Sequence, residues 1–178
     1  MTGLCAEGLG AAAIDAMQAI IDASEQHIRQ PELSTIAAFI ESCRQVGGNL
    51  FILMCQAGDA SAYNRDRCVA LGGYWNGVER LRRSVNDPAV VPHQAREILV
   101  IQTDAGQRRE CLEQLIEYPG SAKALRGEAI PDVARRLVAG SQALHRRVAR
   151  DDYLVTRHNV QRAPIANLWT AWRCRPSL

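Results

Sequence analysis

Four histidines and six cysteines are the residues best equipped for metal or nucleophilic chemistry, and their spacing limits how far that reading goes. His27, His93, His145 and His158 have no Glu-x-x-His or His-x-x-x-His partner, the spacings that set two ligands on one helix face. The cysteines, at 5, 43, 55, 68, 111 and 174, form no Cys-x-x-Cys and no Cys/His cluster with zinc spacing. Most lie inside helical apolar patterns, so they read as small buried hydrophobes in the reduced state. Disulfide pairing and metal ligation are the lesser alternatives. No local base stands beside Cys43 or Cys55, and neither common form of phosphate-cradling glycine loop occurs. The sequence therefore assigns no catalytic residue, metal or cofactor, and a non-enzyme is expected ahead of an enzyme.

One glycine-rich stretch suits a pocket. Gly72-Gly73-Tyr74-Trp75-Asn76-Gly77 combines bare backbone with two aromatic rings, and Gly47 lies on the apolar stripe of the preceding helix. Gly47, Gly73, Tyr74 and Trp75 are thus candidate lining residues for a small-molecule site between helices. The plainer reading places Tyr74 and Trp75 in the core and a neighbouring backbone against Gly47.

The basic stretch Pro131–Arg150 carries a different candidate. Ala134, Leu137, Leu144 and Val148 would anchor two short helices around a turn at Val138-Ala139-Gly140. This pattern resembles a helix-turn-helix segment of bacterial regulators, although Val138 stands where that turn commonly has glycine. The resemblance implies DNA binding through Ser141–Arg150, with Gln142, His145, Arg146, Arg147 and Arg150 toward bases or phosphates. Without a break, Val133, Leu137, Gly140, Leu144 and Val148 form one stripe of an ordinary amphipathic helix. Arg135, Arg146 and Arg150 would then be solvated or paired with acidic groups elsewhere.

The charge layout keeps both readings open. The net charge of +2 conceals an asymmetry. Residues 1–120 hold 15 acidic and 10 basic groups, a balance of −5, whereas 121–178 hold 4 and 11, a balance of +7. The two parts can neutralise each other within a fold or across a dimer, or the basic third can meet an anionic partner such as nucleic acid. Arginine supplies 20 of the 21 basic side chains, and Lys123 is the lysine.

The elements that must position these residues are helical by spacing. Ile14, Met17, Ile21, Ser24 and Ile28 step 3, 4, 3, 4 on a first helix of about residues 11–29, ended by Pro31. A second helix, opened at Ser34 or Glu32, carries Ile36, Ile40, Cys43, Gly47, Leu50, Met54 and Ala57 on one face. The stripe keeps its phase through Gly47-Gly48, so one continuous helix about 33 Å long is expected, stopped by Gly58-Asp59. A third runs from about Ser61 to Val85, with Leu71, Tyr74, Val78, Leu81 and Val85 inward. A fourth spans Pro92 to Tyr118, a fifth opens at Pro131, and a last covers Ile165 to Arg173 after Pro164. Trp169 and Trp172 there dock the chain onto the bundle or form a partner-binding tip.

These elements predict an all-α bundle of five to seven helices with a long central second helix. A single domain is expected, with 121–178 as a candidate basic subdomain. With 47% apolar and 22% charged residues the chain matches neither a disordered tail nor a fibre. Its longest apolar run, Leu50–Cys55, is far shorter than a membrane span. No secretory signal opens the chain, so a reducing cytoplasm is expected. The leading functional expectation is a bacterial regulatory or adaptor module working through protein–protein contacts, as a homodimer. A DNA-binding regulator and a small-molecule-binding protein or enzyme are the alternatives.

Overall fold

The computed structural model describes residues 10–29, 35–57, 63–101, 104–117 and 130–156, and these are helical with no strand among them. In chain order the α-helices are α1 (Ala11–Arg29), α2 (Ile36–Cys43), α3 (Asn49–Ala57), α4 (Arg65–Arg83), α5 (His93–Val100), α6 (Ala105–Leu115) and α7 (Asp132–Arg150). A π-helical turn, Arg44–Gly48, joins α2 to α3 without a break, so Ile36–Ala57 forms the long second rod that the apolar phase predicts. The predicted all-α bundle is the observed architecture.

The starts are set by side-chain caps. Thr35 accepts from the Ala38 N–H at 3.1 Å ahead of α2, and Asn64 accepts from the Arg67 N–H at 3.0 Å ahead of α4. Each satisfies an amide that the first helical turn would leave unpaired. Asp104 does the same for Gly106 at 2.8 Å and begins α6 as a new helix. The single helix expected over 92–118 is therefore two, α5 and α6.

The rod α2–π–α3 lies along α4. α1 covers α3 and the π turn, α6 packs on α2, and α7 packs on the side of α4. One core cluster runs from Ala16 through Phe39, Phe51, Ile52, Leu71, Val78, Leu99, Leu112, Val138 and Val148 to Val155. The basic residues 130–156 thus share the core of the acidic part. The boundary expected near 119–131 falls mostly outside the described residues, as does the expected helix at 165–173 with Trp169 and Trp172.

The end of α7 is closed by a turn in which Asp152 (φ 51°) and Tyr153 (φ 61°) take left-handed conformations. Such geometry costs a non-glycine residue about 1 kcal/mol or more. It is held by the Tyr153 N–H donating to Val148 at 2.9 Å and by the buried Arg108 guanidinium donating to the Asp152 carbonyl at 2.8 Å. The Val155 N–H then donates to Leu99 at 3.1 Å, which ties the segment to the end of α5.

Candidate functional site

The crossing of the π turn with α4 is built from glycines. A Cβ placed on Gly47 would strike the Gly72 carbonyl and come within 2.8 Å of the Asn76 Cβ; one placed on Gly72 would strike the Gly47 carbonyl. On Gly48 it would stand 2.9 Å from the Val69 Cα, and on Gly73 3.0 Å from the Arg44 Cγ. Each glycine costs a helix roughly 1 kcal/mol relative to alanine, and close packing of two backbones offsets that cost. The wider π turn presents Gly47 and Gly48, both buried, to α4.

This contact bears on the pocket expectation at Gly47. Gly47 lies directly on Gly72 and leaves no room for a ligand. Trp75 is half-buried with its ring 6.0 Å from that of Phe51, and Tyr74 faces His145 at 6.4 Å. Gly73 and Tyr74 do share a recess with Ile40, Cys43, Arg44, Leu115, Ile116 and Glu117, but it has room for about one water. An ion pair between Arg44 and Glu117 at 2.6 Å joins two of its walls. Burial pushes the Cys43 thiol up to about 12 despite the nearby Arg80 charge, so it stays protonated and is a poor nucleophile at neutral pH.

Of the two readings of residues 131–150, the unbroken helix is the one observed. α7 passes through Val138-Ala139-Gly140 without a break, and Val138 and Ala139 are buried. The five candidate contact residues divide between faces. Gln142 is 2% exposed and His145 is half-buried, its ring stacked with that of Tyr74 at 27°. Arg146 and Arg150 are exposed and Arg147 is half-buried, with the Arg146 Nε donating to the Gln142 carbonyl at 3.2 Å. Among the described residues no recognition helix separates from the bundle. Gly140 meets nothing within 4 Å of an added Cβ. Gly140→Ala should therefore stabilise the protein by about 0.5–1 kcal/mol, read as a higher urea midpoint at unchanged m-value.

Burial lowers the affinity of His145 for a proton, opposed in part by the Glu113 charge. The folded state thus favours neutral imidazole, whereas the unfolded chain protonates near 6.5. Stability present at pH 7 and above should be lost progressively as pH falls below about 6.5 and through the lower folded value. Urea midpoints measured from pH 7.5 to 5 should show this slope, and His145→Asn should flatten it.

Two arrangements escape sequence reading. The Arg80 guanidinium donates to Asn76 Oδ1 at 3.2 Å and to Ser42 Oγ at 2.9 Å, and lies over the Phe39 ring at 5.9 Å. This clamp joins α2 to α4. No apolar period could signal it, because its members lie on two helices and 38 residues separate Ser42 from Arg80.

The second is on α1. Its fully buried residues are Ala13, Ala16 and Ala23, exposed by 1%, 1% and 7%, with Ile20 half-buried on the same face. The large apolar residues of the expected inward stripe point away: Ile14, Met17 and Ile21 are 51%, 45% and 48% exposed. The small side chains let α1 approach α3 and the glycine-bearing π turn closely, and the bulky row is left on the outside. Gln18 donates to Asp22 at 2.8 Å and Arg29 to Glu25 at 3.1 Å along one flank of that row.

No protein family, curated protein or solved structure matches this chain. Among the described residues no group of three metal-ligating side chains comes together, and no helix is long and apolar enough to cross a membrane.

Proposed function

We propose that this protein is a helical interaction module, regulatory or adaptor in role, that works by pairing with a second copy of itself through the outer face of α1. The carrying observation is that Ile14, Met17 and Ile21 stand outward while a separate alanine face secures α1 to its own bundle. Positions 14, 17 and 21 keep the 3-4 spacing of a coiled-coil seam, and in the sequence Ser24 and Ile28 continue it. Such a seam is self-complementary, which an isologous two-fold contact requires. The flanking polar groups Gln18 and Asp22, and Arg29 and Glu25, bond to each other along the same helix and so rim the seam without reaching across it.

The four described cysteines, Cys43, Cys55, Cys68 and Cys111, are buried thiols outside any disulfide, which supports placing the module in a reducing cytoplasm. Light scattering tests the pairing. A mass of two chains at micromolar concentration, falling toward one on dilution, is the expected result, together with a melting temperature that rises with concentration. A mass of one chain throughout the micromolar range overturns it.

A further inference from the structure

Cys55 lies in the last turn of α3 and Cys68 in the first turn of α4, and their sulfurs are 3.4 Å apart. Both side chains are buried, at 0% and 1% exposure, in the core cluster. Residues 55 and 68 bracket the connection between two helices that pack on each other. Around the pair, Gln56 donates to the Tyr63 hydroxyl at 3.1 Å, and Asn64 caps α4. The two thiols are thus held in van der Waals contact at the connected end of the hairpin.

We propose that Cys55 and Cys68 form a redox modification site, a dithiol that peroxide closes into an intramolecular disulfide stapling α3 to α4. A disulfide needs its sulfurs at about 2.05 Å, so each would move by well under 1 Å from the observed contact. The chemistry balances in two steps. One thiol gives up its proton and the thiolate attacks a peroxide oxygen; the O–O bond breaks, a sulfenic acid forms, and the hydroxide that leaves takes up that proton as water. The second thiol attacks that sulfur, the S–O bond breaks, and a second water leaves as the disulfide forms. Two thiols are oxidised by two electrons and one hydrogen peroxide is reduced.

Burial shapes the kinetics. Desolvation raises the Cys55 thiol above its ordinary value, partly opposed by the hydrogen bond with Cys68, so Cys55 rests mostly protonated and is slow to react. Fraying of the last turn of α3 and the first turn of α4 admits the oxidant, because helix ends open at lower free energy than the core. Once the first sulfur is oxidised, its neighbour is already in place and outcompetes solution thiols. The closed loop restricts the unfolded chain, so the oxidised protein should resist denaturation better than the reduced one. The site is independent of the α1 pairing face.

The test uses the reduced full-length chain with hydrogen peroxide under native conditions, then thiol blocking, non-reducing digestion and mass spectrometry. Expected are a peptide pair linked through Cys55 and Cys68, an intact mass lower by two hydrogens, and a free-thiol titre falling from the six cysteines of the chain to four. Dithiothreitol should restore all six, and the urea midpoint should be higher before its addition. Cys55→Ser, checked for retained helical circular dichroism, should abolish the link and leave Cys68 to accumulate as sulfenic acid trapped by dimedone. Recovery of Cys55 and Cys68 as free thiols, as overoxidised acids, or linked mainly to other cysteines overturns the proposal.

Discussion

Gly72→Ala should destabilise the protein by about 3 kcal/mol or more, at or beyond the upper end of what an added methyl costs in a packed interior. The reason is the nature of the obstacle. The new Cβ meets the Gly47 carbonyl and comes within 2.6 Å of the Gly48 nitrogen, all backbone atoms of a neighbouring helix. A side chain in the way could rotate; a helix backbone can yield only by moving the whole rod. That motion would also pull on the Arg80 clamp to Ser42 and on the contacts of α1 with the π turn. Gly47→Ala is the mirror experiment and should cost a similar amount, since its Cβ meets the Gly72 carbonyl. The two costs should not add, because either substitution already separates the helices. Urea titrations of the single and double variants check this. A loss below about 1 kcal/mol for Gly72→Ala would mean that the two helices are not in backbone contact.

The same crossing explains what sequence reading could and could not find. The long second rod was legible because its apolar phase survives Gly47-Gly48, and the π turn accommodates the pair without stopping the helix. The start of α4 followed only approximately from spacing, and Asn64 sets it by capping. The division between α5 and α6 is set by the Asp104 cap, which apolar spacing does not register. Facing was harder. On α7 the expected stripe begins at Val133, yet Val133 is 57% exposed while Ala134, Val138, Ser141 and Gln142 are buried. On α1, Ala13, Ala16 and Ala23 went inward and Ile14, Met17 and Ile21 outward. Periodicity ranks residues by bulk apolarity, but an inward face is chosen by the space a neighbour leaves. Where that neighbour is a glycine-bearing turn, small residues fit best. The contact of Cys55 with Cys68 depends likewise on how two helices meet, which no single-helix period encodes.

That inversion on α1 makes a sharp experiment possible. Met17→Glu and Ile21→Glu place a carboxylate at positions already 45% and 48% exposed in the single chain. Within one bundle the new charge can reach water, so the fold should change in stability by no more than about 0.5 kcal/mol, as at ordinary surface sites. In a pair of seams the same carboxylate would be buried against apolar side chains of the second copy, and by symmetry it would occur twice. An unpaired buried charge is costly, so a loss of about 3 kcal/mol in association, or roughly a hundredfold in Kd, is expected. The measured signature is therefore a separation of two quantities: the mass by light scattering falls to one chain, while circular dichroism and the urea midpoint at low concentration stay near those of the parent. Ala16→Glu supplies the opposite pattern, because Ala16 is 1% exposed against the neighbouring helices and a carboxylate there should disrupt the bundle itself. If Met17→Glu and Ile21→Glu leave the mass at two chains, pairing occurs through another surface and the outer row of α1 has a different role.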